Sequence, residues 1–224
     1  MRRRVEELYA LSVPRSWPNP HPDAIMPAEE EYSRVTDPAR LRIALLRAAA
    51  WADALSEVPG VEVRRLRPEE CPSFHLPVDG WLVRRDREGT VPLLLVTFDA
   101  DDAFLLREQS TPGVLVCVGT ADVVIQGDDC ACDACDFGSE SVIVGLDDTI
   151  VDLVTGPVAA LRHAKFAATM TTGSASSSSS GATSLVPLGE LQEMCRTLLH
   201  GEPVSLPEGT TVVVGAPWGV IGAG

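Results

Sequence analysis

A chain of 224 residues, 45% of them apolar and 22% charged, can bury one sizeable core and is too apolar to be wholly disordered. Its 18 basic and 32 acidic side chains leave a formal charge of −14, which argues against nucleic-acid backbones and anionic membranes as partners. No run reaches the roughly 18 apolar residues of a membrane span. Met1-Arg2-Arg3-Arg4 is followed by Glu6 and Glu7 rather than by an apolar signal core, so a cytoplasmic protein is expected.

The charge is unevenly placed. Residues 1–70 and 161–224 each carry a net −1, whereas residues 71–160 hold 4 basic and 16 acidic side chains. Gathered on one face, those carboxylates would attract a basic protein partner; dispersed, they serve only solubility.

Five prolines between positions 14 and 27 exclude a helix or a central strand, because proline lacks the N–H and fixes φ. Residues 1–36 are therefore read as a proline-rich N-terminal arm anchored by Trp17, and 37–224 as one domain. Asp37-Pro38 marks a helix start, with Asp as the cap. Leu41, Leu45, Ala48, Ala52 and Leu55 then form one apolar stripe, Arg40, Arg42 and Arg47 keep mainly to the rest of the surface, and Pro59-Gly60 ends the helix, giving 38–57.

Short β-like runs follow at 61–64, 81–84, 91–98, 113–118 and 123–125. Their connections favour antiparallel hairpins over parallel crossovers. The run 91–98 is almost entirely apolar and suits a central strand. A second helix is expected at 139–155, with Val142, Leu146, Ile150 and Leu153 inward and Asp147, Asp148 and Asp152 outward. A short helical stretch is read at 158–165. Residues 171–184, with serine at 176–180, are read as a flexible insertion. A helix at 188–200 and a strand at 210–214 complete the chain, and Trp218 is expected to pack back on the core. The fold class is α+β: a single domain with an antiparallel sheet of five to six strands and two main helices.

Chemistry concentrates in Cys130-Ala-Cys132-Asp-Ala-Cys135-Asp136, preceded by Asp128 and Asp129. Zinc takes four tetrahedral N, S or O ligands. Cys130, Cys132 and Cys135 supply three, and Asp133, Asp136 or His75 the fourth; Cys71 and His163 are further candidates. The three sulfurs are expected to converge at the start of the 139–155 helix, with Gly138 turning the chain and Ser139 capping it. Two other readings stand beside this one. Cys132-x-x-Cys135 before a helix resembles a redox dithiol, though neighbouring carboxylates disfavour the thiolate. The thiols also fit as reduced side chains in a turn, and Cys117 and Cys195 as core residues. The pairs Asp101-Asp102, Asp128-Asp129 and Asp147-Asp148 default to solvated surface. No glycine-rich nucleotide loop, Walker A sequence or nucleophile elbow occurs.

Glu29-Glu30-Glu31-Tyr32-Ser33-Arg34-Val35-Thr36-Asp37-Pro38, the cysteine run through Ser139, and Gly215-Ala-Pro217-Trp218 together resemble an actinobacterial family of unknown function. The resemblance spans residues 20–155 and the last ten, and it implies a bacterial cytosolic protein with no catalytic residues to carry over. The functional expectation is a non-enzymatic binding or adaptor module with a structural zinc knuckle. The alternatives are an enzyme with an unrecognised site around His75 and the Cys/Asp loop, and an acidic immunity-like protein that neutralises a basic partner.

Overall fold

Leu93–Phe98 is buried along its whole length, because every residue but Thr97 is apolar and both faces are covered. The computed structural model describes residues 1–22, 26–71, 79–99, 111–127, 130–179 and 185–219. Among these, the fully buried strand is the middle one, β3, of a five-stranded antiparallel sheet. Its companions are β1 (Val61–Arg65), β2 (Asp79–Arg85), β4 (Gly113–Val118) and β5 (Val124–Gln126), in the order β1-β2-β3-β4-β5. Leu95 lies opposite Trp81 on β2 and Val116 on β4. Alternation then sends Val83, Leu93, Leu95 and Val116 to one side, and Leu82, Leu94, Val96 and Cys117 to the other.

A second sheet has the order β8-β7-β6-β9, built from β6 (Val158–His163), β7 (Phe166–Met170), β8 (Ala175–Ser179) and β9 (Thr211–Gly215). The nine strands thus divide five and four between two sheets of one α+β domain. The helices are α1 (Arg2–Leu11), α2 (Arg42–Ser56), α3 (Ser139–Thr155) and α4 (Leu188–Leu199). The main core joins α1, α2 and α3 to the first sheet and to Val158, Ala160 and Val213 of the second. Helix α4 covers the opposite face of the second sheet through Leu191 and Cys195. Full burial of a side chain such as Trp51, Leu55 or Ile150 is worth about 1.5–3 kcal/mol.

Four local readings are corrected. Residues 2–11 are a helix, and Val5 and Tyr9, one turn apart, bury its inner face against α2. Residues 158–163 are a strand, since a short apolar run carries no period that separates helix from strand until β7 and β9 flank it. Ala175–Ser179 is an edge strand: its backbone pairs with β7 and its hydroxyls face water or neighbouring polar groups. Arg47 and Asp147 are buried rather than on the surface. Arg47 donates Nε and Nη2 to Asp147 at 2.9 and 2.6 Å, Trp51 Nε1 donates to the same carboxylate at 2.7 Å, and the pair ties α2 to α3. Trp218 packs into the core with 2% of its surface exposed.

Candidate functional site

The Cys-x-Cys-x-x-Cys spacing closes into a knuckle because residues 133–135 form a single 3-10 turn, with the Cys135 N–H donating to the Cys132 carbonyl. The ligand atoms of Cys130, Cys132 and Cys135 all lie within 4.8 Å of one another, so the three can hold a metal ion. Cys130 Sγ is 3.0 Å from Cys132 Sγ, and none of the six cysteines is in a disulfide. Cys132 is buried, while Cys130 and Cys135 are exposed beside a cavity of about 100 Å³ that Arg40 also lines. Hydrogen bonding to Cys132, then burial and hydrogen bonding to Cys130, push the Cys135 thiol up to about 12. That direction opposes a redox dithiol, which needs a lowered thiol pKa.

Asp133 and Asp136 are not part of the converging group, although Asp136 lines the same small cavity as the sulfurs. Asp133 accepts from the Thr36 N–H and hydroxyl at 3.0 and 2.5 Å, from Arg34 Nε at 2.8 Å and from Arg40 Nη2 at 3.3 Å. Burial would raise its pKa, but those hydrogen bonds and the Arg40 charge outweigh burial and hold the carboxyl at about 2. Asp136 accepts from Trp17 Nε1 at 3.0 Å on both oxygens and from the Gly138 N–H at 2.8 Å, and lies 3.2 Å from Arg40 Nη2. The carboxylates are engaged by the arm and the 29–41 segment, and among the described residues the converging ligand atoms are the three sulfurs. His75, Asp101, Asp102, Asp128 and Asp129 lie outside the described residues. His163 stacks on Phe166 at the β6–β7 hairpin.

The proline-rich segment is held against the knuckle. Ser139 does not cap α3 with its side chain. Instead its N–H and its hydroxyl both donate to the Trp17 carbonyl at 3.1 Å, and the Trp17 N–H donates back to the hydroxyl at 3.2 Å. Gly138 has φ +87°, and a Cβ there would sit 2.7 Å from the Asn19 nitrogen, so only glycine admits both the turn and the arm. Asp37 likewise pairs with Arg15 instead of capping. Between the arm, the 29–41 segment and the knuckle opens a cavity of about 480 Å³.

Two sequence motifs whose leading residues, Glu29 and Cys130, lie 101 positions apart thus form one structure: Glu29–Ser33 and the residues after it dock on Asp133–Cys135, and the Asp133 N–H donates to the Arg34 carbonyl at 2.8 Å. The chain belongs to the family of unknown function DUF6226. The family match covers residues 7–220, from the end of α1 through β9. No curated protein and no solved structure matches the chain. In this DUF6226 chain the remaining cysteines are packing residues. Burial raises Cys71 and Cys117 and pushes Cys195 up to about 11, which leaves all three as inert thiols.

Trp17, His21, Arg34, Thr36 and Arg40 enter the site although the residue chemistry near the cysteines does not announce them. Arg34 and Thr36 carry one signal, the 29–38 motif, whose polar residues sit just before a helix with no apolar period of their own; Trp17 is the arm's expected anchor, and His21 and Arg40 carry no such signal. No helix among the described residues is long and apolar enough to cross a membrane.

Proposed function

We propose that this protein is a non-enzymatic binding module built on a structural zinc–thiolate knuckle formed by Cys130, Cys132 and Cys135. The observation that carries the reading is the convergence of three cysteine sulfurs within 4.8 Å of one another. Zinc is the first choice because a sulfur-only donor set at a tight turn suits a tetrahedral, thiophilic, redox-silent ion. Three thiolates and a divalent ion sum to −1. Arg40 beside the sulfurs and the N-terminus of α3 oppose that residual charge. Since Asp133 and Asp136 already accept from Thr36, Arg34, Arg40 and Trp17, the fourth position is left to water, an incoming ligand or His75, a remaining candidate from the sequence.

Elemental analysis of protein purified under reducing conditions tests the knuckle. One zinc per chain is expected, with a thiolate-to-metal charge-transfer band when cobalt replaces it. Protein that takes up neither ion after reconstitution would refute the knuckle.

A further inference from the structure

Two side chains on the walls of the 480 Å³ cavity each carry a buried polar atom with no hydrogen-bond partner, and the two are of opposite kind: Glu31 Oε2 accepts and Arg40 Nε donates. Buried polar groups are ordinarily satisfied, so each marks a place where a partner belongs. The ion pairs of the lining leave Glu31 over as well. Arg15 pairs with Asp37, Arg34 and Arg40 bond Asp133, and Arg40 lies 3.2 Å from Asp136. Glu31 is the fourth carboxylate and has no arginine partner among the described residues. His21 Nε2 stands 3.2 Å from it, but the same nitrogen is 3.1 Å from the Asp133 carbonyl, so one N–H is divided between two acceptors. Asp37 accepts only from Arg15.

Unspent donors face these unspent acceptors. A guanidinium has five N–H groups, yet Arg34 commits only Nε, to Asp133, and Arg15 only Nη1, to Asp37. Arg34 follows Glu31 by three positions, and its N–H donates to the Glu31 carbonyl at 3.4 Å. An unspent carboxylate and an unspent guanidinium therefore flank one turn. A ligand with a single ionic head answers only half of this. An anion adds negative charge to four carboxylates set against three arginines and leaves Glu31 bare; a cation meets three guanidiniums. A zwitterion engages both, brings no net charge into the cavity, and makes a charge-assisted hydrogen bond at each end. Pro18, Pro20 and Trp17 add an apolar wall, and the volume lies within the ordinary range for small-molecule sites.

We infer that this cavity binds a zwitterionic α-amino acid with an apolar side chain: the ammonium group sits on Glu31, the carboxylate on the Arg34 guanidinium, and the side chain along Pro18, Pro20 and Trp17. The inference deepens the binding-module reading; it rests on that reading's claim of ligand binding and not on its metal.

Three compounds sharing one skeleton test it: L-phenylalanine, 3-phenylpropanoate, which lacks the ammonium, and 2-phenylethylamine, which lacks the carboxylate. Each is titrated into the full chain while the Trp17 indole N–H and the Arg34 Nε–H are followed by NMR. L-Phenylalanine should shift both signals and bind about tenfold or more tighter than either one-headed compound. Glu31→Gln, which breaks no described hydrogen bond, should weaken L-phenylalanine by about tenfold and leave 3-phenylpropanoate no weaker. Exposed Arg3→Gln should change nothing. A one-headed compound that binds as tightly as L-phenylalanine, no shift with L-phenylalanine, or L-phenylalanine binding indifferent to Glu31→Gln would overturn the inference. Bound zinc without L-phenylalanine binding would refute the cavity alone, and L-phenylalanine binding in protein that takes up no zinc would refute the knuckle alone.

Discussion

Thr36 donates both its backbone N–H, at 3.0 Å, and its hydroxyl, at 2.5 Å, to the carboxylate of Asp133, which lies 97 residues further along the chain. With Arg34 and Arg40 on the same carboxylate, this contact fastens the 29–41 segment to the cysteine knuckle. Asp133→Ala should cost about 2–4 kcal/mol, because it strands charge-assisted donors at a partly buried site. Urea unfolding measures the loss, and limited proteolysis should show cleavage moving into residues 15–35. A variant as stable and as protease-resistant as the wild type would contradict the clamp.

Cys132 is the buried member of the thiol group. Cys132→Ser should abolish stoichiometric zinc and lower the melting temperature of the zinc-loaded protein by several degrees, since metal bound to the native state adds to folding stability. Cys195→Ser, under helix α4, should keep its zinc. Calorimetry with metal analysis on the same samples separates the two.

Asp147 and Asp148 are neighbours with opposite fates. Asp147 is buried with Arg47 and Trp51, whereas the Asp148 side chain is 61% exposed in its pairing with Arg2. Asp147→Ala leaves a buried guanidinium without its main partner and should cost about 3–5 kcal/mol. Asp148→Ala should cost less than about 1 kcal/mol. Equal effects on the urea midpoint would contradict the burial assigned to Asp147.

Glu70 receives Arg64 Nη1 and Nη2 at 2.7 and 2.5 Å and the Arg67 N–H at 3.0 Å. The Arg64 hydrogen bonds lead in holding its carboxyl well below the usual range, against opposing burial. A carboxyl lowered on folding contributes stability that is complete above its unfolded value of about 4.3 and is lost as pH falls below it. Glu70→Gln should therefore destabilise by about 1–2 kcal/mol at neutral pH, with the gap to wild type narrowing steadily from about pH 5 to pH 2. Urea midpoints across that range check the sign; a gap that widens in acid would reverse it.

Gly138→Ala should displace the arm, because the new methyl would meet the Asn19 nitrogen at 2.7 Å at a residue with positive φ. A loss of at least about 1–2 kcal/mol is expected, together with a shifted Trp17 indole signal. Gly189, whose Cβ position is open within 4 Å, should accept alanine without loss.

The positions of α2, α3, α4 and β1–β5 were legible in the sequence because hydrophobic period and turn chemistry are local properties, written within a dozen residues. The cysteine knuckle was legible for the same reason: its three ligands span six positions, and one 3-10 turn brings them together. Tertiary structure alone decided how the charges pair. Asp79, Asp99, Asp133, Asp136, Asp147 and Asp148, all from the acidic middle segment, meet arginines from the first 70 residues. Nothing in the local pattern around Arg47 or Asp147 distinguishes them from surface residues, since burial of an ion pair depends on the docking of two helices whose contact is remote in sequence. The strand at 158–163 and the serine strand at 175–179 were likewise undetermined until β7 supplied their backbone partners. The same holds for the cavity: its walls come from three segments that only folding brings together.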